Sequence, residues 1–413
     1  MQIGIHSEFG HLQKVIVHTP GREVSLVDPE IREELLFDDI IFEEDARIEH
    51  LNMLKIFSVA MPDDGEILEI TDLISEVFSD SEAKDFFIDR LITEHPEKNF
   101  HLIKKSLNDL SAEDLLRFMV EGKMTPAIDI NFSLWPLPNL LFTRDLAAVA
   151  GRCIIQSRAA KKARLRESVL MEAVLKYHPV FESSREHIIQ IGNNQTIEGG
   201  DVLVVSSELV LIGMSERTSF TGLVAITEEL LKHGVKYVVA VDIPKKRSSM
   251  HLDTIFTFCS KDECVVYPPV IENQTGNIVV LGKAGDQIVV EKRTSLKETL
   301  EELSGHSYTF IRCGGEDLTD QYREQWTDGA NVFALAPGVI VGYERNAKTF
   351  ESLERHGYEI FDQFEFIEEY TNKAFKPRSG KKMAIKFQGH ELCRGRGGAR
   401  CMTLPLLRKL LNH

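Results

Sequence analysis

A chain of 413 residues, 43% hydrophobic and 27% charged, has the make-up of a globular protein that can bury one large core or two to three smaller ones. Its net charge of −16 disfavours a nucleic-acid partner and mildly favours encounter with small cations, and no apolar run approaches the ~20 residues a membrane helix needs. The six cysteines (153, 259, 264, 313, 393, 401) lack CxxC spacing, which argues for free thiols, and the first twenty residues carry no secretion signal, so a cytoplasmic location is expected.

In chain order, residues 13–18 form a β-branched run closed by Thr19-Pro20-Gly21, which predicts a strand and a turn. Residues 34–39 precede a further apolar stretch. From about Ile67 to Val120, Leu, Ile and Phe recur at three- and four-residue spacing with no glycine between, which predicts a helical block. Residues 84–91 and 112–120 are amphipathic, and Ser111 is placed to cap the second of these. The block reads as a helical insert over 67–127, bounded by Gly122-Lys-Met-Thr-Pro126, within one catalytic domain spanning 1–413. Beyond it, strands are expected at 153–156, 202–205, 209–212, 237–241, 255–258, 264–267, 278–281, 287–290, 308–311, 332–335 and 339–342. Helices are expected at 159–177, 223–232, 296–303 and 350–356. The fold class is α/β or α+β, without the GxGxxG or GxxxxGK[ST] signature of a wound nucleotide-binding sheet.

Chemistry-bearing residues cluster at strand ends. Pro138-Asn-Leu-Leu-Phe-Thr-Arg-Asp145 ends an apolar run on a carboxylate. Thr196-Ile-Glu198-Gly-Gly-Asp201 sets two carboxylates around a glycine pair. In Met250-His251-Leu-Asp253-Thr254, period-two alternation would put His251 and Asp253 on one face of a strand. Near the C-terminus, Arg394-Gly-Arg-Gly-Gly-Ala-Arg-Cys401 sets a thiol after three arginines, where nearby cations favour the thiolate, and the helix-like run 405–411 follows. Each motif also has a structural reading: a His–Asp hydrogen bond, a turn, a strand end, a phosphate-binding loop. His251, Asp253, Glu198 and Asp201 could equally ligate a metal, although nothing in their spacing selects one. Together they fit one reaction. A guanidinium is a poor, delocalised electrophile best held by carboxylates, attacked by a thiolate and relieved of a nitrogen by a protonated His.

The ordered set of motifs resembles the bacterial arginine deiminases of the guanidine-modifying enzyme superfamily. It runs through His6-Ser-Glu-Phe-Gly10, residues 15–20 and 34–39, the four stretches above, Gly213-Met-Ser-Glu-Arg-Thr218, Arg323-Glu-Gln-Trp-Thr-Asp-Gly329 and Gly342-Tyr-Glu-Arg-Asn346. The resemblance implies a five-bladed pseudo-symmetric α/β propeller of ββαβ modules with a central pocket, and it places the helical block where these enzymes carry an insert. It also implies hydrolysis of L-arginine to L-citrulline and ammonia, with Cys401 as nucleophile, His251 as acid and then base, Glu198 supporting His251, and Asp145 and Asp253 gripping the guanidinium. Asn139, Arg164 and Arg217 would meet the substrate carboxylate, with Arg166 the alternative to Arg164. Arg396 would lie in a mobile loop beside Cys401, and Asp201 and Phe142 would line the pocket. No cofactor, metal, nucleic acid or membrane is called for, and a homo-oligomer, dimer or tetramer, is implied. Ala399, where many relatives have Pro, and Thr403-Leu404 depart from the family pattern. An amidinotransferase on the same fold, a non-catalytic arginine-binding protein and a metal-dependent hydrolase are the rival readings.

Overall fold

The computed structural model describes residues 3–122, 134–274, 276–285, 287–371, 373, 375–376 and 381–411. Its strands fall into five separate sheets, each opening on an edge strand: Ala147–Ala150, Val202–Ser206, Phe256–Phe258, Phe333–Ala336 and Leu404–Arg408. In every sheet the edge strand pairs antiparallel with its neighbour, and that neighbour pairs parallel with the next strand in. Parallel neighbours need a crossover. Helices Glu43–Ala60, Leu165–Tyr177, Phe220–Lys232 and Leu296–Ser304 lie in four of the connections, and Ala347–Arg355 in the fifth.

The edge strands are largely apolar and buried, with Thr257, Ser206 and Arg408 the polar exceptions, as strands covered on both faces tend to be. Leu404–Arg408 lies against Ala147–Ala150, Ala147–Ala150 against Val202–Ser206, and Phe256–Phe258 against Phe333–Ala336. Helices Ile70–Phe78, Ser81–Glu94, Lys104–Asp109 and Ala112–Glu121 make up the expected helical block, and their apolar faces share a core with Leu165–Tyr177 and the sheet starting at Ala147. Ser111 caps Ala112–Glu121 by accepting the Asp114 N–H, and Gly122, in the left-handed region at φ 69°, closes it. The expected far boundary, residues 123–127, lies outside the described residues.

Three expectations are corrected. The run 405–411 is not helical: Leu404–Arg408 is a strand, because it is bonded antiparallel to Leu12–Val17, with Ile16 opposite Leu404, and non-local pairing overrides the leucine-rich local pattern. His251 and Asp253 do not alternate along a strand. The chain turns through a 3₁₀ helix at Leu252–Thr254, held by the Leu252 N–H on the Asp201 carboxylate and the Thr254 hydroxyl on the His251 carbonyl, and only then extends as Phe256–Phe258. The helix expected from 159 begins at Leu165, because the Ala159 and Ala160 N–H groups are drawn to Ser168 Oγ and to Glu198. The sequence reading did not assign helices Glu43–Ala60, Leu318–Trp326 and Gln363–Tyr370, nor strands Tyr358–Asp362 and Lys382–Phe387.

Candidate active site

Each edge strand is preceded by a polar turn, and the five turns converge. Asp145 lies in the 3₁₀ turn Thr143–Leu146; Glu198 and Asp201 flank or occupy Gly199–Asp201; His251 precedes and Asp253 occupies Leu252–Thr254. Asp328 and Asn331 lead into Phe333–Ala336, and Cys401 into Leu404–Arg408. All of these side chains are buried.

His251 Nε2 stands 2.9 Å from Glu198 Oε2, and its Nδ1 is 3.6 Å from Asp145 Oδ1. Burial alone would depress the imidazole, but Asp145, the Glu198 hydrogen bond and Asp201 outweigh it and hold His251 up at about 9, so it rests as imidazolium at neutral pH. Burial would raise Glu198. Arg217 at 3.3 Å and His251 instead hold it well below the usual carboxylate range. Asp201 is bonded by Ser215 Oγ at 2.5 Å, Thr218 Oγ1 at 2.6 Å and the Leu252 N–H at 2.9 Å, yet burial still pushes it up to about 6. Gly200 permits this crowding, since a Cβ there would stand 2.7 Å from His251 Nδ1 and 3.0 Å from Asp145 Oδ1.

Cys401 Sγ lies 3.7 Å from Asp253 Oδ2, and its N–H donates to Asn331 Oδ1 at 3.0 Å. The three arginines of its loop do not make it a thiolate. Burial, then Asp253, Asp145 and Asp328, push its pKa well above the ordinary value, and the pull of Arg400 the other way does not offset them. Arg400 is turned away onto Asp253 Oδ2 at 2.8 Å and onto Glu8 Oε2 at 3.0 Å. Arg394 is half exposed beside Asp39, and the Arg396 guanidinium stacks 3.6 Å over the Trp326 ring.

The remaining expected residues divide. Asn139 donates its side-chain N–H to the Leu35 carbonyl at 2.7 Å, and its own carbonyl accepts from Arg164 at 3.1 Å. Phe142 lies against the Cys401 loop so closely that a Cβ on Gly397 would come within 2.3 Å of its ring. Arg164 reaches the centre, 2.5 Å from Asp145 Oδ2, 2.8 Å from Glu167 and 3.8 Å from Glu198. Arg166 does not: it bonds the Trp135 carbonyl, away from the cluster. Arg217 sits on Glu198, and Arg396 is buried with no hydrogen-bond partner on its guanidinium nitrogens among the described residues.

Four participants went unassigned at the sequence level. Asn331 ties the Cys401 N–H to the Asp253 carbonyl, to which it donates at 2.9 Å. Glu8 neutralises Arg400. Glu167 braces Arg164. Asp328, in the left-handed region at φ 61°, has both oxygens buried without a hydrogen-bond partner among the described residues, and burial pushes it up to about 7. Glu8 and Asp328 stand in motifs that carried the resemblance; Asn331 and Glu167 have no such signal.

Asp145, Glu198 and His251 offer one donor atom each within 4.8 Å of one another, a metal-like grouping. Arg164 and Arg217 already lie on its two carboxylates, and His251 is held as a cation, so the charge a metal would balance is balanced by the protein. One acceptor remains open. Asp145 Oδ1 is buried without a hydrogen-bond partner among the described residues, beside His251, and a buried carboxylate oxygen left this way calls for a donor.

The family model for arginine deiminase matches residues 33–408. Arginine deiminase of Bacillus cereus (strain ATCC 10987 / NRS 248) is 35% identical over 436 aligned positions, covering 98% of each chain. Arginine deiminase of Listeria monocytogenes serotype 4b (strain CLIP80459) is 35% identical over 433, covering 99% of this chain and 98% of its own. Among solved structures, a cysteine-to-serine variant of dimethylarginine dimethylaminohydrolase from Pseudomonas aeruginosa, complexed with citrulline, aligns with a TM-score of 0.51 at 16% identity, over 96% of this chain and 100% of its own. The N-terminal domain of an ArgZ variant, covalently bound to a reaction intermediate, aligns with a TM-score of 0.52 at 15% identity, over 96% and 98%. At these identities the structural likeness speaks for a shared mixed α/β fold.

Proposed function

The chain belongs to the arginine deiminase family, and from that membership and the geometry of its buried cluster we propose that it hydrolyses L-arginine to L-citrulline and ammonia through a covalent intermediate on Cys401. The observation that carries the mechanism is the unpartnered Asp145 Oδ1 beside the His251–Glu198 pair, with Asp253 on the thiol. The substrate guanidinium supplies the missing donors, lying between Asp145 and Asp253. Its charge, set beside Cys401, offsets the carboxylates that hold the thiol protonated, and the proton leaves to water.

The thiolate then adds to the guanidinium carbon. The His251 imidazolium gives its proton to the departing nitrogen, ammonia leaves, and an amidino-thioether remains. Neutral His251 next takes a proton from water and the hydroxide adds to the same carbon; the C–S bond then breaks as the new hydroxyl gives up its proton to the leaving sulfur, so citrulline departs and the Cys401 thiol re-forms. Glu198 keeps His251 charged for the first half. Arg217, Asn139 and Arg164 serve the α-carboxylate, Arg164 being freed as the substrate replaces it on Asp145, and Arg396 swings off Trp326 toward the bound substrate. Asp201 and Phe142 wall the pocket.

Five edge strands, each followed by the same antiparallel-then-parallel pattern, support a five-bladed propeller with this cluster on its axis, and the helices between Ile70 and Glu121 support a helical insert in one domain, although Glu66–Glu69 at its start is a strand paired with Leu12–Val17. A cytoplasmic homo-oligomer belongs to the same reading, and no described helix is long and apolar enough to cross a membrane. Purified protein incubated with L-arginine, without metal or amine acceptor, is expected to release citrulline and ammonia in equal amounts. Product formation that requires an added amine would identify an amidinotransferase instead, and tight arginine binding without product would identify a binding protein.

A further inference from the structure

Helix Glu43–Ala60 buries Met53, Ile56 and Phe57 in the core, but it also buries a carboxylate. Glu49, only 8% exposed, accepts backbone N–H groups from three successive residues far along the chain. His390 donates to Oε1 at 2.8 Å and Leu392 to Oε2 at 3.0 Å, while Glu391 reaches both oxygens, at 3.2 and 3.1 Å. These are the N–H groups that open the 3₁₀ turn Leu392–Gly395, and the start of a helical turn has no carbonyl of its own to satisfy them. A charged acceptor at such a start makes stronger bonds than a neutral one. The tie is reciprocal, because the Glu391 carboxylate accepts the N–H of Phe42, the residue that begins the helix.

The turn so anchored delivers the chain to Arg396, in the left-handed region at φ 65°, then to Gly397 and Gly398 and on to Cys401. Resting on the functional reading above, we propose that Glu49 is a positioning residue for the nucleophile loop: it touches neither substrate nor thiol, but sets where Leu392–Gly395 lies and so where Arg396 and Cys401 stand. Among the described residues every hydrogen bond of its carboxylate goes to this one turn, and helix packing is served by the apolar residues around it.

The chain has two tryptophans, so in a Trp135→Phe background emission comes from Trp326 alone, the ring under Arg396. In that background Glu49→Gln keeps the shape but turns a donor toward N–H groups. The expected result is a folded protein whose Trp326 emission is shifted and whose kcat falls roughly tenfold or more, since small misplacements of reacting groups cost rate steeply. Glu49→Asp, which keeps the charge, should recover part of both. A folded Glu49→Gln protein with unchanged kcat and emission, and only a lower melting temperature, would overturn the proposal and leave Glu49 a structural tie. Should the variant not fold, hydrogen exchange in the wild type decides: slow exchange at the amides of 390–392 is expected, and exchange as fast as in an unstructured loop would overturn the anchor. Emission and exchange need no turnover, so a wild type that fails to deiminate arginine sinks the functional reading without deciding this one.

Discussion

Replacing Glu198 by Gln removes one charge from the centre of the site while keeping the side chain's size. In the native protein Glu198 Oε2 holds His251 at 2.9 Å and Arg217 at 3.3 Å, and Oε1 accepts the Ala160 N–H at 3.1 Å. A glutamine can satisfy only one side with its oxygen, and its amide faces a donor on the other, a loss of about 1–3 kcal/mol of stability. The larger consequence is for His251. Its rise from 6.5 to about 9 corresponds to roughly 3 kcal/mol of preference for the imidazolium, produced against burial by Asp145, Glu198 and Asp201. Removing the Glu198 share should lower the imidazole pKa by about one to two units. In the proposed mechanism the protonated form releases ammonia, so activity is expected below that pKa and its loss above it. The alkaline limb of kcat against pH should therefore lie near 9 in the wild type and near neutrality in Glu198→Gln, with a parallel shift of the His251 resonance in ¹⁵N NMR. An unmoved limb together with an unmoved resonance would refute the role of Glu198, and a moved resonance with an unmoved limb would refute His251 as the acid.

Two further outcomes are expected. Gly200→Ala would drive a methyl to 2.7 Å from His251 Nδ1, where something must shift; kcat should fall about tenfold or more, since a small displacement of a catalytic group is costly, and wild-type kinetics would contradict the crowding. His18, buried between Glu23 at 3.1 Å and Glu69 at 2.8 Å, has its pKa raised from 6.5 to about 10. The stabilisation is therefore fully present below about pH 6.5 and lost as pH rises toward 10, on the order of 5 kcal/mol in all. Denaturant titrations should show this alkaline loss in the wild type and a flatter profile in His18→Gln; equal slopes would remove His18 as the cause.

Strands with continuous apolar runs, such as Val202–Ser206, Leu209–Met214 and Tyr237–Asp242, were legible because burial on both faces writes itself into composition. Leu404–Arg408 was not, since Leu-Leu-Arg-Lys-Leu-Leu reads locally as helix and only its partner Leu12–Val17, almost four hundred positions away, makes it a strand. Asp145, Glu198, His251, Asp253 and Cys401 were legible as chemistry at strand ends, and the chain does gather them. The sign of the thiol's electrostatics was not. Charge near Cys401 in sequence is positive, but in space Arg400 is spent on Glu8 and Asp253 and Arg396 on Trp326, leaving carboxylates as the nearer influence. Asn331 and Glu49 act through contacts with distant backbone, which no local pattern reports.

The measurement that bears most directly on the mechanism is the mass of enzyme quenched in acid during turnover of L-arginine, alongside a Cys401→Ala control. An adduct with the mass of arginine less ammonia, mapping to the peptide that contains Cys401 and absent from the control, is the predicted result. Citrulline formation by Cys401→Ala, or an adduct on any other residue, would contradict it.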